Sequence, residues 1–219
     1  MALPPRAGDR WRYTGAVGRI SPNLDVYDAR GRAYRFNYDG WVVYQEVLRR
    51  IARSDVFAGA RWVFSDSTTT FDLGLEPPGA IPHDLDARES GLGIVVQYDT
   101  RNSIFTPSRG VQLTGSAEFF GAYLGGDHDY ERYALDGRTY WEAHRRLVLA
   151  ARLLTRRAGG DPPFYDRPYV QLRGVPAMRY QGETSVSLET EARWAVGRRW
   201  WLVGFAGAGW TDDGAARGV

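Results

Sequence analysis

The feature that most constrains this chain is a strict two-residue alternation that recurs along its length. In SVSLETEARWAV, Ser185, Ser187, Glu189, Glu191 and Arg193 fall on one side, while Val186, Leu188, Thr190, Ala192, Trp194 and Val196 fall on the other. GLGIVVQYD separates Leu92, Ile94, Val96 and Tyr98 from Gly93, Val95, Gln97 and Asp99. VQLTGSAEF sets Val111, Leu113, Gly115, Ala117 and Phe119 against Gln112, Thr114, Ser116 and Glu118. RLVLAARLLTR repeats the scheme, with Leu147, Leu149, Ala151 and Leu153 opposite a set that includes Arg152 and Arg156. Successive side chains of a strand point to opposite faces, so these segments are strands with two chemically different faces. No 3.6-residue pattern persists, and the expected class is all-β.

The connections add direction. Short links at 52–55, 142–145 and Gly197-Arg198, and a moderate turn at 101–109, alternate with longer stretches at 72–89, around 125–129 and at 159–181. An antiparallel up-and-down meander produces this rhythm when its short turns share one end. Strands of about ten residues suffice to cross a bilayer at the usual tilt. Trp141, Trp194, Trp200 and Trp201 lie beside the short turns, where an interfacial aromatic girdle would sit. The expectation is an antiparallel transmembrane β-barrel with its Leu/Val/Ile face toward lipid. Alternation alone also admits a soluble barrel whose apolar face turns inward around an apolar ligand.

Composition removes other classes. The net charge is +2 with basic and acidic residues interleaved, so no nucleic-acid partner is expected. Cysteine is absent, which excludes disulfides, thiolate metal sites and cysteine nucleophiles. No stretch reaches the roughly 18 apolar residues of a membrane helix. His83, His128 and His144 lack metal-ligand spacing, and Asp127, His128, Asp129 and Glu131 in GDHDYE read as a solvated loop. No G-x-S-x-G or S-x-x-K occurs, so an outer-membrane hydrolase has no nucleophile to nominate. The glycine pairs in LGGDHD and RAGGDPP come without a P-loop lysine. No cofactor, metal or catalysis is expected.

Three stretches, in order, carry a resemblance: GLGIVVQYDTRNSIFTPSRGVQLTGSAEF, LRGVPAMRYQGE and SLETEARW. Together they resemble the barrel signature of the bacterial surface antigen family of BamA/TamA-like outer-membrane proteins, most strongly between Gly91 and Gly209. The first supplies a strand-end and turn motif, Asp99, Arg101, Phe105, Pro107, Arg109 and Gly110. Its residues also read locally: Asp99 and Arg101 share the polar face, Pro107 fixes φ, and Gly110 can take a positive φ. The second matches the family's Arg-Gly loop, Leu172, Arg173 and Gly174. The resemblance implies that this loop folds into the lumen and that Arg173 meets acidic inner-wall residues, here Glu189 and Glu191 with Arg193 beside them. One departure stands out: where the family often reads Phe-x-Asp-x-Gly, this chain has Phe205, Ala206, Gly207, Ala208, Gly209.

The resemblance implies a structural, assembly or translocation role in the bacterial outer membrane, with outer-membrane lipid and client polypeptides as partners. Residues 1–10 are expected to be disordered, and 11–219 to form an incomplete surface-antigen-type barrel of about nine strands. Further strands and a signal sequence are expected to lie outside the chain, which reads as a barrel-only relative or a fragment; upstream POTRA repeats would favour insertase work and a passenger would favour secretion.

Overall fold

A computed structural model describes residues 10–28, 30–72, 84–197 and 199–212. Ten strands follow in chain order: β1 (Trp11–Ile20), β2 (Asn23–Tyr27), β3 (Ala33–Arg50), β4 (Val56–Asp72), β5 (Asp84–Asp99), β6 (Gly110–Phe120), β7 (Tyr130–His144), β8 (Leu147–Gly160), β9 (Thr184–Ala195) and β10 (Trp201–Thr211). All pair antiparallel in one sheet of order β1-β3-β4-β5-β6-β7-β8-β9-β10, with β2 also on β3. Among the described residues the sheet is open: β1 with β2 forms one edge and β10 the other. Residues 1–9 and His83 lie outside the described residues, while Arg10 already accepts a hydrogen bond from the Arg50 amide.

β1 and β2 are one strand with a flaw. Trp11 faces Arg49 and Asn23 faces Asn37, which is a single unbroken register along β3. Pro22 interrupts it because proline has no N–H to donate, although its carbonyl still accepts from the Tyr38 amide. The ten named strands therefore make nine rungs.

The two faces differ as the alternation predicts, and accessibility decides which is outside. Leu92, Ile94 and Val96 are 48%, 63% and 48% exposed, whereas Val95 and Glu118 on the opposite face are 1% and 3% exposed. A soluble barrel would bury the first set and expose Glu118, so that alternative fails. On the outer face of β3, β4 and β5 an apolar band runs through Trp41, Val43, Phe64, Trp62, Leu92 and Ile94. Beyond it come ion pairs, Arg19–Asp39 at 2.8 Å and Arg88–Asp66 at 3.2 Å. That boundary, apolar then charged on one face, is where strands leave lipid for water. Inside the band, the Gln45 side-chain oxygen accepts from the Tyr13 hydroxyl.

Some boundaries move. β5 begins at Asp84, well inside the expected 72–89 connection. Its first residues are polar because that part of the strand stands clear of the membrane, and Thr68 donates to Asp86 at 2.7 Å to hold it there. β7 runs to His144, which leaves only Arg145 and Arg146 in the turn. Trp201 pairs with Ala195 and falls by register on the inner face, so it leaves the outer girdle that Trp141 and Trp194 share.

The inner face is not uniformly polar. Leu48, Phe57 and Val95 form one apolar cluster near the short turns, with the Arg12 guanidinium 3.6 Å from the Phe57 ring centre. A second cluster at the other end joins Phe36 and Tyr38 to Met178, which arrives from the long β8–β9 connection.

Candidate functional site

The β8–β9 connection, residues 161–183, folds back over the inner face and doubles on itself. Val170 donates to the Tyr180 carbonyl at 2.9 Å and Gly182 to that of Pro168 at 3.0 Å, with a bridge between Tyr169 and Gln181. Its tip is a turn from Leu172 to Val175, closed at 3.2 Å, with Arg173 and Gly174 in the middle. Gly174 has φ +81°, the value that the third residue of a type II turn needs and that glycine adopts without strain. Met178 holds φ +60° without that freedom, and its side chain, 4% exposed, is pinned against Phe36 and Tyr38. Phe164 adds an edge contact to Phe36 with ring centres 5.1 Å apart.

Two sets of charges fasten this connection. The first begins with one row across the sheet, where register aligns Glu46, Arg61, Gly93, Glu118 and Arg132. Arg61 reaches Glu46 at 2.7 Å on one side and Glu118 at 2.7 Å on the other. It can span β5 because Gly93 has no side chain; a Cβ there would stand 2.6 Å from Glu118 Cγ. Arg132 continues the chain, 2.6 Å from Glu118 and 2.6 Å from Asp166 of the connection. The Tyr130 hydroxyl donates to Asp166 at 2.7 Å. Arg61, Glu118 and Arg132 each have opposite charges on both sides, which is the condition for keeping ions out of water.

The second set is at the tip. Arg173 lies 2.6 Å from Glu191 and 3.3 Å from Glu189, and its amide donates to Glu189 at 3.2 Å. The guanidinium also covers the Phe205 ring at 4.5 Å. The hydrogen bond that the Arg173 guanidinium donates to Glu191, more than any other cause, raises the Arg173 pKa, so the side chain stays charged. Leu172 and Val170 pack on β10. A Cβ on Gly207 would meet Leu172 at 2.9 Å, and one on Gly209 would meet Val170 at 2.2 Å. The glycine at 207, in place of the family's aspartate, is thus the floor on which Leu172 rests.

The Asp99–Gly110 motif forms its own unit at the short-turn end. Arg101 pairs with Asp99 at 2.9 Å, both largely buried. Asn102 accepts from the amides of Ser108 and Arg109 at 3.0 and 3.2 Å and so organises the turn. Gly110 has φ +107°, and a Cβ there would stand 2.4 Å from the Thr100 carbonyl, so glycine is required. Phe105 is 87% exposed and takes no part in the lumen. Pro107 is buried, and its carbonyl accepts from Arg193, whose Nε lies 3.4 Å from Glu191. Arg193 therefore links the turn motif to the Arg173 cluster. Sequence reasoning did not anticipate that link, nor the row from Glu46 to Asp166. Alternation placed Glu118 on the polar face, but only strand register shows what stands beside it.

The geometry defines a membrane-spanning β-sheet of barrel type, lipid-facing outside, with one long connection folded onto its inner wall by ion pairs. A model of the Omp85 superfamily domain matches residues 19–170. The chain belongs to the Omp85 superfamily. Among solved structures it is similar to BamA from Haemophilus ducreyi lacking POTRA domains 1–3, with a TM-score of 0.67 and 11% sequence identity. That match covers 93% of this chain and 47% of the BamA chain, so the chain spans about half the length of its structural relative. At this identity the likeness is one of fold. No curated protein matches the chain in sequence.

Proposed function

We propose that this chain is the barrel portion of a bacterial outer-membrane protein that assembles or translocates polypeptides, without catalysis, and that the Arg173 turn is the working part of its lumen. The observation that carries this reading is the connection itself. It is fastened to the inner wall by Arg132–Asp166 at one point and by Arg173–Glu189/Glu191 at another. A connection held to the inner wall at two points takes up lumen space that an open channel would leave to water.

The test is assisted insertion. A urea-unfolded small outer-membrane barrel is diluted into phosphatidylcholine vesicles that carry this chain, and its folding is followed by heat-modifiability on gels. The chain is expected to speed insertion over empty vesicles, and Glu189→Gln/Glu191→Gln to reduce that gain. Equal rates with and without the chain, together with a steady single-channel conductance in planar bilayers, would sink the proposal in favour of a pore.

A further inference from the structure

We infer that the outer wall of β7–β10 holds a binding site for an anionic phospholipid at the short-turn end, with an acyl chain in a groove and the phosphate on an arginine rim. This rests on the membrane-spanning reading of the barrel and not on its role toward polypeptides.

The groove arises from residue size. By register, Ala151 of β8, Thr190 and Ala192 of β9, and Gly204 and Ala206 of β10 form a floor of small side chains across three adjacent strands. The cavity above them is about 510 Å³, bounded on one side by Trp141 and Leu149. A second cavity of about 390 Å³ shares Ala192 and Gly204 and continues past Trp194 and Leu202 to His144 and Leu147. The two make one apolar track that ends at the short β7–β8 turn. A Cβ on Gly204 would meet nothing within 4 Å, so no packing demand of the protein explains the glycine. On β5 the same outer face carries the larger, exposed side chains of Leu92, Ile94 and Val96.

Charge at the mouth selects the occupant. Arg145 and Arg146 form the β7–β8 turn, and Arg199 lies in the neighbouring β9–β10 turn. All three are exposed, and none forms an ion pair among the described residues. Glu142, the acid of this corner, lies by register with Val148 on the inner face. Trp141 and Trp194, 66% and 53% exposed, flank the track at the depth where indoles meet headgroups. Short turns face the periplasm in bacterial barrels, so this rim meets the phospholipid leaflet. Unpaired arginines at a membrane surface attract anionic headgroups, and an apolar track leading away from them accepts the attached chain.

The test is tryptophan quenching by lipids brominated on the acyl chain. The full chain is folded into phosphatidylcholine vesicles containing a minor fraction of brominated phosphatidylglycerol or, separately, of brominated phosphatidylcholine. Phosphatidylglycerol is expected to quench more at equal fraction. Arg145→Gln with Arg146→Gln should lower its apparent affinity about five-fold per arginine. Ala192→Leu with Gly204→Leu, which fills the floor, should abolish the excess while quenching by bulk lipid persists. Equal quenching by the two lipids in the unaltered chain overturns the site, and so does an excess that survives both variants. If the floor variant does not fold, the exposed arginine pair decides alone. Failure of the unaltered chain to become heat-modifiable in vesicles of either lipid is a distinct result, since it would strike at the membrane-spanning reading itself.

Discussion

The two fastenings of the lumen connection are built from the same residue types and differ in what surrounds them. Around Arg132 the partners are closed in: Glu118 is 3% exposed in its side chain and Asp166 23%. At the tip, the Arg173 side chain is 45% exposed, although its partners Glu189 and Glu191 are at 11% and 20%. Ion pairs in water contribute little, while a buried pair that loses one member leaves an uncompensated charge. On this reasoning the row under Asp166 is the firmer mount, and the Arg173 turn is the latch expected to give way first.

The largest expected effect breaks the mount. Arg132→Met removes the cation that Glu118 and Asp166 share, leaving Glu118 with Arg61 and Asp166 with the Tyr130 hydroxyl, at a cost of about 3 kcal/mol. Urea unfolding in detergent micelles measures it, and a loss no larger than that at the tip would put the two fastenings on one footing. A smaller effect comes from the floor beneath the tip. Gly209→Val drives a side chain into Val170, which must move, and overpacking of this kind costs about 1–3 kcal/mol. Limited proteolysis between Pro168 and Gly182 should rise with it; an unchanged digest would mean that the connection does not rest on β10. The smallest shift is expected from Arg173→Ala, about 0.2–1 kcal/mol given its exposure. Its signature is faster cleavage at the tip with nearly unchanged unfolding. A large loss of global stability would show that latch and mount are energetically one unit.

Legibility followed the range of each interaction. The strands with a lipid-facing side, β5, β6, β8 and β9, could be read directly, because hydrocarbon demands an apolar residue at every second position. The first part of β5 could not, since Asp86 and Arg88 on its outer face are exposed and polar residues serve equally well there. The β1–β2 break was hidden for another reason. Pro22 reads as a turn signal, yet the ladder on β3 resumes in register beyond it.

The sequence by itself determined an all-β meander with one apolar face, no thiol chemistry and no helical membrane span, because these depend on composition and on a period of two. It also marked the Arg-Gly turn and its acidic neighbours through likeness to a family. Only the tertiary structure decided which charges meet. Register aligned Glu46, Arg61, Glu118 and Arg132 across four strands with Gly93 as the gap that lets them touch, and the same register opened the groove beside Gly204. The spacing of residues along one strand carries no information about the shift of the next. That shift is set by turns and packing distributed over the whole sheet.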